Sequence, residues 1–335
     1  MLAAILALGL VVAIHEFGHF IIAKMFGVSC PAFSVGIGPR LFGFKWKETD
    51  FRLSLLPLGG YVKMKGLTDL DTPENINDSD SFLSKPRWQR FLIYLAGPFI
   101  NFATAFVGAV LVLSFYGTPQ ATNRIADVRV VNPNIVSSPI QPGDIITSVN
   151  ERVVGNGNEL IDALTAAANK PKNIIIIRDT EKRTVALEPG KNIEFMLATD
   201  TVKIDFPKAI KESGSMIWFM IERQIAGLKK IINGDPETIK QVSGPIGIVK
   251  AGSAMSQQFG LLEGVAMFAF ILSVLLGFMN LLPIPVLDGG NMLILSVEMV
   301  MRRDINQKFK TSIMVLGLIL LVSLMIFSTF NDLTR

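Results

Sequence analysis

The chain has 335 residues, half of them apolar and only 18% charged, with a formal net charge of +4 and a mean hydropathy of +0.45; this balance excludes an ordinary soluble domain and indicates an integral membrane protein. A small, unclustered positive charge with no interleaved aromatic stacking positions offers no footprint for nucleic acid, so no nucleic-acid partner is expected. The single cysteine, Cys30, excludes an internal disulfide and any cysteine-based zinc cluster.

Residues 1–23 are apolar apart from His15, Glu16 and His19, and are long enough to cross a hydrocarbon core of about 30 Å at ~1.5 Å per residue. The first cation, Lys24, follows this run instead of preceding it, so the segment reads as a retained span and not as a secretory signal. From 25 to 66, the alternation of Phe33, Val35 and Ile37, then Leu41, Phe44 and Trp46, then Phe51, Leu53 and Leu55 predicts strands around a turn at Lys47 to Asp50. A hairpin this apolar beside a span can dip into the bilayer where the protein itself satisfies its backbone groups. Residues 67–82 are acidic and polar, as in a surface loop. Further spans are expected at about 91–116, 264–300 and 311–330, the third with an irregular interior, giving four crossings.

Between the second and third spans the character changes. Val128 to Val131 and Ile174 to Ile177 look like buried strands, and Glu159 to Ala168 like a helix, as in a small soluble domain. The run Gln141-Pro-Gly-Asp-Ile-Ile-Thr-Ser-Val-Asn150 resembles the most recognisable stretch of a PDZ domain, with a generic turn and strand as the plain alternative. Residues 207–233 carry Ile210, Met216, Ile217, Phe219, Met220, Ile225, Leu228 and Ile231 among several lysines. That pattern suits an amphipathic helix, either on a membrane surface or packed on the soluble domain.

Four crossings put both termini on one side. The connection from Lys24 to Arg90 and the short one bearing Arg302, Arg303, Lys308 and Lys310 are rich in cations and should face the cytoplasm. The stretch 117–260 then lies outside with the termini. The expected domains are an N-terminal membrane part (1–116), a PDZ-like domain (117–206), an amphipathic linker on the membrane surface (207–260) and a C-terminal membrane part (261–335).

His15-Glu16-Phe17-Gly18-His19 is an H-E-x-x-H motif on a helical segment, so the two imidazoles project from one face a turn apart and can share a zinc ion, with Glu16 placed to act on water. Ionisable groups inside an apolar span are costly and usually functional. The chain has no other histidine. A third protein ligand must therefore be a carboxylate, if the site follows the usual three ligands and one water. Asp288 is the one acidic residue between Gly264 and Val297, and it lies in Asn280-Leu-Leu-Pro-Ile-Pro-Val-Leu-Asp-Gly-Gly290, where prolines and glycines should interrupt a helix. Glu48 is the rival, in a charged turn. Asn280 either hydrogen-bonds substrate or oxyanion, or caps a buried helix.

Together with Gly59-Gly60-Tyr61-Val62-Lys63-Met64, Phe33-Ser-Val-Gly-Ile-Gly-Pro39, Ala96-Gly-Pro-Phe-Ile-Asn101 and Ser243-Gly-Pro-Ile-Gly-Ile248, these motifs closely resemble the site-2 protease family along nearly the whole chain. The bacterial regulator of sigma-E protease branch is the nearest match. The resemblance implies zinc held by His15, His19 and Asp288, catalysis by Glu16, and a substrate-handling Asn280. It also implies cleavage of single-pass membrane proteins in the bilayer of the bacterial inner membrane, such as anti-sigma factors already trimmed outside, or remnant signal peptides. Residues 31–64 would be the family's membrane-reentrant hairpin. The chain departs from the best-known members in carrying one PDZ-like domain instead of two in tandem, and in having Asn134-Ile-Val-Ser-Ser-Pro-Ile140 before the Pro-Gly-Asp turn.

The expected architecture is a polytopic α-helical membrane protein with four transmembrane segments, a membrane-reentrant β-hairpin and an inserted extracytoplasmic PDZ-like α+β domain. Two competing readings are a catalytically silent PDZ-bearing membrane scaffold and a metal transporter. The intact Glu16 argues against both: a scaffold has no need of an acid between two histidines, and a transporter is expected to show more than one intramembrane polar cluster along a path.

Overall fold

The computed structural model describes residues 2–67, 78–130, 139–167, 171–187 and 193–334. Most of the acidic run 67–82 lies outside these residues, as do Val131, Asn134 to Ser138 and Ala168. The chain divides into two compact units, residues 1–110 with 211–335, and residues 111–210.

In the first unit, α1 (Leu2–Met25) buries a stripe of Ala4, Ala7 and Val11 against Phe268 and Leu272 of α7 (Leu261–Leu281). Small residues let the backbones come close: a Cβ on Gly18 would stand 2.4 Å from the Ala96 carbonyl of α2 (Arg87–Tyr116). β1 (Ala32–Trp46) and β2 (Thr49–Lys63) form the expected hairpin, reversing at Lys47 with φ 53°. The start of β1 pairs twice with β2, Phe33 standing opposite both Phe51 and Val62, so residues 60–63 form an outer strand. The hairpin root packs Phe33 and Met64 with Phe20, Ala23, Phe82 and Ile93. Further along β1, Phe42, Phe44 and Trp46 are exposed.

The remaining elements of this unit are helical: α4 (Phe206–Ile232, whose first turn lies in the second unit), α5 (Pro236–Lys240), α6 (Pro245–Phe259), α7, α8 (Asp288–Met301) and α9 (Gln307–Thr334). Among the described residues, four helices, α1, α2, α7 and α9, are long and apolar enough to cross a membrane, as the sequence leads one to expect. The third expected span differs in detail. It is two helices, α7 and α8, parted at residues 282–287 where Pro283 and Pro285 cannot donate backbone hydrogen bonds. The backbone is tightly packed here: a Cβ on Gly289 would stand 2.4 Å from the carbonyls of Leu281 and Leu282, and one on Gly290 2.3 Å from that of Ile284. At the far end of α9, Asp332 Oδ2 accepts from the amides of Gly244 (3.0 Å) and Gly247 (2.8 Å), capping the first turn of α6.

The second unit is a β-sheet of order β7-β6-β4-β3-β8, built from β3 (Thr118–Val130), β4 (Ile145–Val149), β6 (Lys172–Arg178), β7 (Glu181–Leu187) and β8 (Ile193–Val202), with the short β5 (Arg152–Val153) on β4. Helix α3 (Gly157–Ala166) covers it, its N-terminus capped by Asn156. Ile125, Ile146, Val149, Leu160, Ile174 and Ile176 form the core. The Gln141-Pro-Gly-Asp144 run makes a closed turn in which Gly143 adopts φ 94° and Asp144 accepts from the Gln141 amide. Arg178 grips Asp144 through two 2.7 Å hydrogen bonds and holds its carboxyl below the usual carboxylate range.

Candidate metal centre and active site

α1 supplies His15, Glu16 and His19; the two histidines, four residues apart, share its buried face at 8% and 7% exposure. α8 supplies Asp288 as its first residue, immediately after the break. The three side chains converge. His15 Nε2 is 3.1 Å and His19 Nε2 3.4 Å from Asp288 Oδ2, and the two Nε2 atoms are 3.2 Å apart. Bonds of about 2.0–2.1 Å in a tetrahedron require ligand atoms about 3.3–3.4 Å apart, so the spacing fits one zinc ion. His19 Nδ1 stands 2.7 Å from the Ile93 carbonyl, to which it donates when protonated; that leaves the Nε2 lone pair facing Asp288. Among the described residues, this is the one cluster of three His, Cys, Asp or Glu side chains spaced for a metal ion.

Glu16, one residue round the helix from His15, faces the hairpin instead. Gly60 leaves the room for it: a Cβ there would come within 3.1 Å of Glu16 Cγ. Asn280, near the end of α7, brings Nδ2 to 3.4 Å from His15 Nε2, reaching into the site and not back onto a helix end. Glu48, the rival carboxylate, pairs with Lys24 and stands outside the cluster. A cavity of about 410 Å³ joins these groups, lined by His15, Glu16, His19, Asn280 and Asp288 with Gly59 to Val62 of β2.

α2 contributes what sequence reasoning assigned no role. A Cβ on Gly97 would meet His19 Nε2 at 2.3 Å and His15 Cε1 at 2.8 Å, so only glycine admits both rings. Asn101, one turn on and fully buried, places Nδ2 3.2 Å from His15 Nδ1. The available signal was the lone carboxamide in an apolar span, where polar side chains need partners.

The match to the family model described as Peptidase family M50 spans residues 3–324. The chain is 31% identical to the "Putative zinc metalloprotease" of Clostridium perfringens, over 98% of this chain and 97% of that one. It is 32% identical to the protein of the same description from Clostridium acetobutylicum, over 98% and 96%, and 27% identical to Metalloprotease MmpA of Caulobacter vibrioides, over 100% and 95%. A match of this extent, with relatives covered almost end to end, fixes the family: the chain belongs to peptidase family M50 and is a multi-pass membrane zinc metalloprotease.

Proposed function

We propose that the chain hydrolyses peptide bonds within the transmembrane segments of single-pass membrane proteins, with His15, His19 and Asp288 as the zinc ligands and Glu16 as general base. The observation that carries this reading is the convergence of three ligand-type side chains at 3.1–3.4 Å, from the spanning helix α1 and the helix that follows the α7 break, with Glu16 on the same cavity. Zinc held by these three side chains would supply Lewis-acid polarisation of the scissile carbonyl and lower the pKa of the attacking water. Glu16 takes the proton of the attacking water and hands it to the leaving amine, Gly60 leaving room for its side chain on the cavity wall. Asn280 offers its Nδ2 hydrogens to the scissile carbonyl oxygen as charge builds on it.

A helical peptide bond is shielded from attack, so the substrate must be extended. Residues 60–63 pair with β1 alone among the described residues, and Gly60, Tyr61 and Val62 line the cavity, an edge to which an extended substrate can add as a strand. The exposed Phe42, Phe44 and Trp46 support reading residues 31–64 as a membrane-reentrant hairpin. The sheet, α3 and the closed Pro-Gly-Asp turn support a PDZ-like domain at 117–206. The exposed Met216, Trp218 and Phe219 of α4 support a surface-lying linker at 207–260, between membrane parts at 1–116 and 261–335. With the cationic connections cytoplasmic, the protein lies in the bacterial inner membrane with both termini and the PDZ-like domain outside. Anti-sigma factors and remnant signal peptides are the substrate classes this reading favours.

The test is cleavage of a model single-span substrate by the purified protein in detergent, comparing wild type, Glu16→Gln and Asp288→Asn, with bound metal measured for each. Cleavage by wild type alone, with zinc retained in Glu16→Gln and weakened in Asp288→Asn, is the expected result. Equal cleavage by wild type and Glu16→Gln would remove the mechanism.

A further inference from the structure

We propose that Asn101 is a positioning residue for the zinc site: its carboxamide holds the plane of the His15 ring and, with Oδ1 turned to accept from Nδ1–H, leaves Nε2 and not Nδ1 for the metal. The inference rests on the ligand assignment above and adds a residue from a third helix. His15 Nε2 lies 3.1 Å from Asp288 Oδ2 and 3.2 Å from His19 Nε2, so this nitrogen belongs to the converging set. The opposite nitrogen, Nδ1, has the Asn101 amide at 3.2 Å. An imidazole that gives its Nε2 lone pair to a cation keeps its proton on Nδ1 and needs an acceptor there.

His19 meets that need with the Ile93 carbonyl at 2.7 Å. For His15 the candidate acceptor is Asn101 Oδ1. That oxygen is buried and has no hydrogen-bond partner, while the Nδ2 of the same amide faces the ring. The two ends of a carboxamide are nearly isosteric, so a half-turn about the Cβ–Cγ bond puts Oδ1 where Nδ2 stands without disturbing the packing. Asn101 can therefore hold His15 by donating to a bare Nδ1, or by accepting from Nδ1–H when zinc occupies Nε2. Gly97 and Asn101 are four residues apart on α2, so one face of that helix admits the rings and then orients one of them.

Two measurements test this on the full-length protein in detergent. The first is zinc affinity, by competition with a chromophoric chelator, for wild type, Asn101→Leu, Asn101→Asp, His19→Ala and Asp288→Asn. Removing such a support typically costs ~10–100-fold in metal affinity. Asn101→Leu should fall in that range, and Asn101→Asp, which restores an acceptor, should return close to wild type. Wild-type affinity in Asn101→Leu, or equal weakness in the Leu and Asp variants, overturns the proposal. If His19→Ala and Asp288→Asn also bind as wild type does, the ligand assignment itself fails; if they lose zinc while Asn101→Leu does not, only the role of Asn101 fails. The second measurement needs no variant. The chain has only two histidines, so ¹⁵N-histidine labelling reports on this site alone. The zinc-loaded protein should show both rings protonated at Nδ1; a His15 ring protonated at Nε2 refutes the proposal even if Asn101→Leu does not fold.

Discussion

Gly97→Ala adds one methyl group at the most crowded point of the site. The new Cβ would stand 2.3 Å from His19 Nε2, 2.6 Å from His19 Cε1 and 2.8 Å from His15 Cε1. An ordinary non-bonded approach is about 3.5 Å, so the His19 ring must retreat by roughly 1 Å or α2 must move away. Metal–ligand distances tolerate only about ±0.2 Å, and a misplacement of about 1 Å can cost ~10²-fold in rate. The helix itself gains from the change, since alanine is favoured over glycine by about 1 kcal/mol in a helix interior, against about 1–3 kcal/mol for overpacking. The expected result is therefore a folded protein, with a thermal midpoint in chelator close to wild type, that has lost zinc affinity and about 10²-fold in cleavage. Gly108→Ala on the same helix is the control, because its Cβ meets nothing within 4 Å; it should leave both properties unchanged. Zinc content and cleavage at wild-type levels in Gly97→Ala would refute the claim that this glycine makes room for the ligands.

Gly60→Ala pushes on Glu16 and not on the metal, its Cβ lying 3.1 Å from Glu16 Cγ and 2.8 Å from the Ser34 carbonyl; turnover should fall while zinc content stays at the wild-type level, as measured by metal analysis beside the cleavage assay. Val286, a β-branched residue at φ 82° and 39% exposed, carries backbone strain of about 1–3 kcal/mol. Val286→Gly should hold or raise the thermal midpoint, and a drop would mean that lost packing outweighs the strain. Arg178→Ala leaves Asp144, 1% exposed, without its main partner and should cost about 3 kcal/mol, read as faster hydrogen exchange of the Ile145–Val149 amides at neutral pH. Because Asp144 has a lowered pKa in the folded protein, its contribution is complete above the unfolded carboxylate pKa of about 3.9 and is lost as pH falls below it through the folded value. Wild-type exchange protection of β4 should therefore collapse below about pH 4, and that acid dependence should be weaker in Arg178→Ala.

The parts of the site that lie close in sequence were legible from it. A spacing of four on a helix dictates that His15 and His19 share a face, and the two prolines before Asp288 dictate a break. Pairing α1 with α8 rested on there being no third histidine and few buried acids, and the structure sets His15 Nε2 3.1 Å from Asp288 Oδ2. What could not be read was direction. Periodicity marks residues 91–116 as a span but does not say which of its faces meets His15, so Gly97 and Asn101 stayed mute. The third span read as one irregular segment because hydropathy is blind to a break of only six residues, which depends on the close approach of Gly289 to the Leu281 and Leu282 carbonyls.

The crossing of α1 and α2 ties fold to chemistry. At Gly18 the two backbones approach so closely that a Cβ would stand 2.4 Å from the Ala96 carbonyl and 2.7 Å from Ile100 Cγ2. Without a hydrophobic drive between helices in lipid, such small-residue contacts are what hold spans together. The same crossing brings the Ile93 carbonyl to His19 Nδ1, Asn101 Nδ2 to His15 Nδ1, and the bare face of Gly97 to both rings. A larger residue at Gly18 therefore cannot loosen the packing without also parting His19 from Ile93 and His15 from Asn101. Helix association and the orientation of the two histidine rings are one contact at this point, so substitutions there should lower metal affinity before they lower the amount of folded protein.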